Sequence, residues 1–149
     1  FALIGMVYGR THTRDIKKLG GLMKVLPFIG AIYVITGLAY LGLPGFSGFV
    51  AEMNIFVGAF ENPSTFHRVL TILAVSSIVI TAVYIVRWMG KIMVGTLAND
   101  DFKNLPTATW YEKTGILLLL IPIIAIGVAP LWLSDMIMAS IEPFIKGVL

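Results

Sequence analysis

Long runs of apolar residues, separated by short polar segments, make up most of this chain. Because a helix needs about 20 apolar residues to cross the hydrocarbon of a bilayer, such runs predict membrane-spanning helices. We therefore predict an all-α integral membrane fold, with about three to four transmembrane helices and the end of a preceding one. The predicted segments are a helix end at 1–9, a connector at 10–24, a broken helix at 25–60, a helix at 69–90, a loop at 91–113, a helix at 114–133 and an interfacial tail at 134–149.

The 25–60 run is interrupted between Gly42 and Gly48, where Pro44 and Gly45 stand in its middle. Proline has no N–H to donate and clashes with the preceding turn, and glycine weakens a helix further. Ser47 is predicted to be the N-cap of a new helix that starts near Gly48. Two interpretations stay open: a discontinuous helix of the kind that transporters use for ion sites, or a surface turn between two short helices.

Composition narrows the class of protein. The chain is 58% hydrophobic and 13% charged, whereas a soluble domain carries about 25% charged residues. A soluble enzyme, a nucleic-acid-binding protein and a disordered region are therefore poor hypotheses. The chain has no cysteine and only two histidines, which are far apart in sequence, so we expect neither a metal site nor a cofactor site in it.

The first residues of the chain are those of an incomplete helix. The chain begins with Phe1 rather than Met, and residues 1–9 are apolar. No basic segment precedes them and no small-residue cleavage site follows, so the pattern is not that of a signal peptide. We expect a fragment that opens inside a helix.

The distribution of the 11 Lys and Arg residues distinguishes two topologies. If 25–60 crosses the membrane twice, the basic residues divide seven against four between the two sides; if it crosses once, they divide nine against two. The positive-inside rule favours one crossing, with 10–24 and 91–113 cytoplasmic and the tail outside. Because 36 residues are more than about 30 Å of hydrocarbon requires, both topologies stay open.

Glu52 is the only acidic residue between Asp15 and Glu61, and it follows the break by about one helical turn. An ionisable group inside a span is costly to insert, and by default it indicates a functional site. Desolvation favours the protonated acid, while the positive end of the second half-helix favours the carboxylate. This balance suits a group that loads and releases a proton. The alternative is a Glu that snorkels to the interface or pairs permanently with a basic residue.

Three further residues are candidates for an ancillary proton path. His12 carries an imidazole, which can change charge near neutral pH, although packing of the connector is an equal alternative. Thr36 and Tyr40 belong to a group of hydroxyls at membrane depth, for which packing between helices is the favoured role. The other members of that group are Ser76, Ser77, Thr81 and Tyr84.

Three stretches together carry a resemblance to a known family. They are YGRTHTRD at 8–15, GGL at 20–22 and LGLPGFSGFVAE at 41–52. The chain resembles the C-terminal third of the chain M (chain 4) family, the antiporter-like membrane subunits of proton-translocating NADH:quinone oxidoreductase, or respiratory complex I. Related subunits of multi-subunit cation/proton antiporters and of membrane-bound hydrogenases remain alternatives, as does sodium in place of the proton.

The resemblance implies a single antiporter-like transmembrane domain with broken helices, in which buried Lys, Glu, His and waters carry protons along the midplane. Glu52 matches the ionisable residue after the break, and Glu rather than Lys favours chain M over the other antiporter-like subunits. Because the upstream helices of the path are missing, the fragment holds one end of the path, near its exit, and is not catalytic alone.

The resemblance also implies the surroundings of the chain. NADH, FMN, iron–sulfur clusters and quinone are expected in other subunits of the translocase, and none of them in this chain. The expected partners are other membrane subunits, including neighbouring antiporter-like subunits, and the lipid bilayer, with no nucleic acid. The favoured location is a bacterial or archaeal cell membrane, with the mitochondrial inner membrane less favoured.

Overall fold

A computed structural model describes residues 1–148 of the chain, with side chains as far as Pro143. These residues form helices and connecting segments without a strand, so the predicted all-α class is confirmed for the described part. The helices are α1 (Ala2–Thr11), α2 (Pro27–Tyr40), α3 (Ser47–Glu61), α4 (Thr65–Met93), α5 (Trp110–Val128) and α6 (Leu131–Val148). Short 3₁₀ segments at Leu22–Lys24 and Asp100–Asn104 lie in the two long connectors.

Two helices, α4 and α5, are long and apolar enough to cross a membrane. Few of their residues are buried inside the described chain, so most of their apolar surface faces outward, as in helices that contact lipid or neighbouring spans. With 29 residues, α4 is about 43 Å long. With 14 and 15 residues, α2 and α3 are together about as long as α4, and both contact it.

Several helix ends differ from the predicted boundaries. The helix predicted at 69–90 runs from Thr65 to Met93, because its flanking polar residues continue the helix beyond the apolar run. The helix predicted at 114–133 begins earlier and ends earlier, as α5.

The early end of α5 has a local cause. Pro130 disfavours helical backbone at Ala129, and a new helix starts at Leu131. The predicted tail at 134–149 is therefore the greater part of α6. Its last residue, Leu149, and the side chain of Lys146 lie outside the described residues.

The best-buried side chains gather at the end of the bundle where the two long connectors meet. Leu22 of the first connector, Ile29 of α2 and Met93 at the end of α4 are each at most 1% exposed. The backbone N–H of Ala98 donates to the carbonyl oxygen of Gly20 at 3.3 Å. The connectors thus pack against each other and lie at the same end of the structure.

An ion pair between Arg10 and Glu112 joins the end of α1 to the first turn of α5. The guanidinium is bidentate, with Nη2 at 2.6 Å from Oε2 and Nη1 at 3.2 Å from Oε1. Arg10 also donates to the backbone carbonyls of Pro106, Thr107 and Met6, so all five of its N–H donors are used. Because the Arg10 side chain is only 8% exposed, this pair fixes α5 against α1.

Replacing Arg10 tests the contribution of this pair. We expect Arg10→Gln in the full-length subunit to lower the free energy of unfolding by about 2 kcal/mol, because Glu112 then keeps a partly buried charge without its partner. The measurement is the melting temperature of the purified subunit in detergent. Lys103→Gln is the matched control: its pair with Asp100 is exposed, so its loss should cost less than about 0.5 kcal/mol. Equal losses in the two variants contradict the assignment.

Candidate functional site

The end of α2 is closed by backbone hydrogen bonds around Gly42. The N–H of Gly42 donates to the carbonyl of Ala39 at 3.2 Å, and the N–H of Leu43 donates to that of Leu38 at 3.4 Å. This pair of bonds is the Schellman arrangement, which requires a left-handed residue just after the helix. Gly42 meets the requirement with φ +65°, a conformation that costs other residues about 1–2 kcal/mol.

The break between α2 and α3 comprises residues 41–46, so it begins one residue before the predicted interval of 42–48 and ends two residues before that interval does. Ser47 is not the N-cap of α3, so that prediction was wrong. Phe46 is extended and holds the N-cap position, because its N–H closes a turn onto Leu43 at 3.2 Å and the next residue is already helical. Ser47 and Gly48 are therefore the first residues of α3, whose N–H groups have no acceptor within the helix.

The carboxylate of Glu52 packs against this break. A Cβ built on Gly42 would lie 2.6 Å from Oε2 of Glu52, so only a glycine leaves space for the carboxylate there. Gly48 in turn lies beside the carbonyl oxygen of Ala39 and the Cα of Gly42. The end of α2 thus fills the space beside Gly48. The Glu52 carboxylate packs against the break between α2 and α3.

Glu52 faces an open cleft of about 570 Å³ between α2, α3, α4 and α5. The cleft brings several of the sequence-predicted residues together with hydroxyls of α4. Its lining residues are Thr36, Ala39, Tyr40, Ser47, Gly48, Glu52, Thr81, Tyr84 and Ile123. The side chains of Thr36, Tyr40, Thr81 and Tyr84 supply hydroxyl groups, of which that of Thr81 donates to the carbonyl of Ser77 at 3.3 Å and keeps its oxygen as an acceptor. The cleft can therefore order water beside a carboxylate.

Glu52 is half-buried within this chain, because the cleft is open on one side. In the described part of the chain no basic side chain lies within salt-bridge distance of it. Among the residues whose side chains the structure describes, Glu52 therefore forms no permanent ion pair with a basic residue. The carboxylate thus faces the cleft without a basic partner among these residues.

Three of the sequence-predicted residues lie outside the cleft. Pro44 and Gly45 belong to the loop of the break and do not line the cleft. His12 ends α1 at the connector end of the bundle, where it is exposed and lies edge-on to Tyr8, with ring centroids 6.4 Å apart. Among the described residues, no group of three or more acidic or imidazole side chains is arranged to hold a metal ion.

The contact of α5 with the break was not predicted from the sequence. A Cβ on Gly127 would collide with the backbone of Gly45 and Phe46, so the glycine lets α5 cross directly over the loop. Ile123, one turn earlier, lines the cleft. The available signal was a glycine in an otherwise bulky apolar run. Thr81 and Tyr84 could not be singled out from Ser76 and Ser77, because Thr81 and both serines alike donate to carbonyls of their own helix.

Comparison with known proteins bears on this arrangement. The family model described as NADH:quinone oxidoreductase/Mrp antiporter, TM, matches residues 1–81, more than half of the chain. The chain belongs to this family. The resemblance predicted from the sequence motifs is confirmed.

Similar proteins from two bacteria show how much of a family member this chain represents. NAD(P)H-quinone oxidoreductase chain 4 of Prochlorococcus marinus (strain MIT 9313) is 36% identical over 152 residues, covering 98% of this chain and 27% of that protein. NADH-quinone oxidoreductase subunit M of Rickettsia conorii (strain ATCC VR-613 / Malish 7) is 30% identical, covering 95% of this chain and 28% of that protein. The chain spans about a quarter of the length of these family members.

A solved structure of the family gives the same picture of the fold. A chain of respiratory complex I from Thermus thermophilus with bound NADH matches with a TM-score of 0.73 at 29% identity. The match covers 86% of this chain and 26% of that chain. Over the matched residues, the helical arrangement described above is shared with that chain of the complex.

A substitution at Gly42 tests the packing of the site. We expect Gly42→Ala in the full-length subunit to lower the free energy of unfolding by about 1–2 kcal/mol, because a left-handed alanine is strained and its methyl meets the Glu52 carboxylate. The measurement is thermal unfolding in detergent. Gly58→Ala, inside α3 with nothing near its Cβ position, is the control and should stabilise by up to about 1 kcal/mol. The same sign for both variants contradicts the described packing.

Proposed function

We propose that this chain is the C-terminal part of an antiporter-like membrane subunit of a proton-translocating NADH:quinone oxidoreductase, and that Glu52 transfers protons in it. The observation that carries the proposal is the position of Glu52 at the discontinuity between α2 and α3, facing a cleft lined by hydroxyls. Membership of the family and the names of the similar proteins support the same conclusion.

In this proposal α2 and α3 are the two halves of one helix that crosses the membrane once. The contact between Gly20 and Ala98 and the ion pair from Arg10 to Glu112 hold both long connectors at one end of the bundle. Since α4 is continuous, the turn before it lies about 43 Å from that end, on the opposite side of the bilayer. The segment from the first connector to that turn then crosses once, as the basic residues indicate.

The chemistry of the site follows from the break. The free N–H groups at the N-terminus of α3 lie about one helical turn before Glu52 along the chain, at the edge of the cleft that the carboxylate faces. A proton arriving through ordered water binds to a carboxylate oxygen of Glu52, and it leaves when water or a neighbouring site accepts it. Thr36 and Tyr40 serve to orient that water.

His12 has a different place in the proposal. It lies at the connector end of α1 and outside the cleft, so it contributes to proton movement only as an exit-side group near the aqueous phase. Pro44 and Gly45 act by breaking the helix, and Ser47 and Gly48 by supplying the first N–H groups of α3.

In this proposal the redox cofactors and the quinone belong to other subunits of the complex. NADH, FMN, iron–sulfur clusters and quinone bind to other subunits, and this chain carries no redox step. Its partners are neighbouring membrane subunits, including antiporter-like ones, and the lipid of a bacterial cell membrane, in keeping with the bacterial sources of the similar proteins.

A second candidate function is cation/proton antiport without a redox partner. The family description names this type of antiporter together with the oxidoreductase, and the geometry of Glu52 suits both. The names of the similar proteins favour the oxidoreductase. Genes beside the one for this chain discriminate between the two, since oxidoreductase, antiporter and hydrogenase subunits are encoded with different neighbours.

Neutralisation of Glu52 tests the proposed role. We expect Glu52→Gln, in the complete complex, to slow proton pumping by about tenfold or more, because a positioned proton-transfer group typically contributes about 10²–10⁴ in rate. Pumping and coupled quinone reduction are measured in vesicles. Glu61→Gln removes an exposed acid at the far end of α3 and should leave both rates unchanged. Normal pumping in both Glu52→Gln and Glu52→Ala rejects the assignment.

Cysteine labelling tests the single crossing. In a cysteine-free background, Lys18→Cys and Lys103→Cys should react with an impermeant thiol reagent from one side of the membrane, and Asn62→Cys from the other. The reason is that the two connectors are in contact, whereas α4 separates them from the turn at 62–64. Labelling of Lys18→Cys and Lys103→Cys from opposite sides rejects the single broken helix.

A further inference from the structure

A second groove, which shares Tyr84 but not Glu52 with the cleft described above, lies where the first connector passes α4. It is open, measures about 770 Å³, and is lined by the basic residues Arg14, Lys17, Arg87 and Lys91. In the part of the chain whose side chains are described, none of these four is in a salt bridge. Asp15 also lines the groove, and its carboxylate accepts the backbone N–H of Lys17 at 3.0 Å. The groove thus keeps a positive excess.

The side chains that α4 contributes to the groove change in polarity along the helix. Ile80, Tyr84 and Lys91 are separated by four and seven residues, as residues on one face of a helix are. The rise from Ile80 to Lys91 is about 16 Å, close to half of the roughly 30 Å hydrocarbon thickness. Along that rise the side chains change from apolar to phenol to cation. This is the order in which a phospholipid changes from acyl chain to headgroup within one leaflet.

Two aromatic residues, Trp88 and Tyr8, suit the headgroup end of the groove. Trp88, which lines it beside Arg87, is the residue type that settles at the boundary between hydrocarbon and headgroups. The guanidinium carbon of Arg14 lies 4.6 Å from the centroid of the Tyr8 ring. Because stacking uses the face of a guanidinium, its in-plane N–H donors remain available for a phosphate.

We infer that this groove binds the phosphodiester headgroup of an anionic phospholipid. Arg14, Lys17, Arg87 and Lys91 hold the phosphate, and an acyl chain lies along Ile80 and Val83. Basic pockets of spanning helices on the cytoplasmic side bind such headgroups by charge and shape. The apolar lower wall favours a lipid over an acidic peptide, since a peptide leaves its backbone groups without partners at that depth.

The test compares lipid binding by the full-length subunit and by a double variant, Arg87→Gln/Lys91→Gln. Binding of phosphatidylglycerol and of phosphatidylcholine is measured by native mass spectrometry of detergent-purified protein titrated with each lipid. We expect about 30-fold weaker phosphatidylglycerol binding in the double variant, from about 1 kcal/mol for each cation near a membrane surface. Arg68→Gln, which removes a cation at the other end of α4, should bind as the wild type does.

The same measurements can overturn the inference. Equal phosphatidylglycerol affinity in the double variant and the wild type contradicts it, as does equal binding of the two lipids by the wild type. Displacement of the lipid by millimolar glycerol phosphate indicates a soluble anion site instead. Cross-linking from position 87 to an acidic segment of a neighbouring subunit in the assembled complex identifies a protein contact in place of the lipid. An unchanged melting temperature of the double variant excludes misfolding as the cause of lost binding.

Discussion

Backbone groups without hydrogen-bond partners are the constraint on which this structure depends. Lipid offers no donors or acceptors, so a helix can be interrupted at membrane depth only where protein or enclosed water satisfies the freed groups. At the end of α2 the chain itself does this, through the bonds from Gly42 to Ala39 and from Leu43 to Leu38. At the start of α3 the freed N–H groups belong to residues that line the cleft. An acid one turn further along lies where polar atoms are tolerated.

The two halves of the bundle are supported differently. The connector end contains the best-buried side chains and the Arg10–Glu112 pair, while α3 has no buried residue within this chain. Its apolar faces therefore require contacts from elsewhere in the subunit or from lipid. The rigid end holds α2, α4 and α5 in register, and α3 is attached mainly through its contacts with α4 and α5. The cleft at Glu52 lies where these two parts of the bundle meet. Its α2 side is supported within this chain, whereas its α3 side depends on contacts from outside the chain.

Much of this arrangement follows from local sequence rules. Apolar run length identified the long helices, and Pro44 with its glycines identified the break, because both signals act within a few residues. The sorting of basic residues favours one crossing, which stays a prediction; the two connectors that it assigns to one side of the membrane are in contact. Ser47 was misassigned because a serine near a helix start is a frequent N-cap, whereas the four-residue turn from Leu43 to Phe46 places the N-cap one residue earlier. Arg10 and Glu112 are 102 residues apart, and Gly127 meets Gly45 only through packing. No local pattern specifies such pairs.

The Arg10–Glu112 pair also has a consequence for the order of biosynthesis. The guanidinium of Arg10 emerges from the ribosome long before Glu112, and apart from the carbonyl of Met6 in its own helix, its acceptors are made only with the loop before α5 and the first turn of α5. During insertion Arg10 must therefore stay hydrated at the membrane surface, as a cation near the end of a helix can by snorkelling. Only the arrival of α5 withdraws it from water. The last predicted span of the segment thus fixes the position of the first. This happens only after the loop before α5 and α5 itself have been translated.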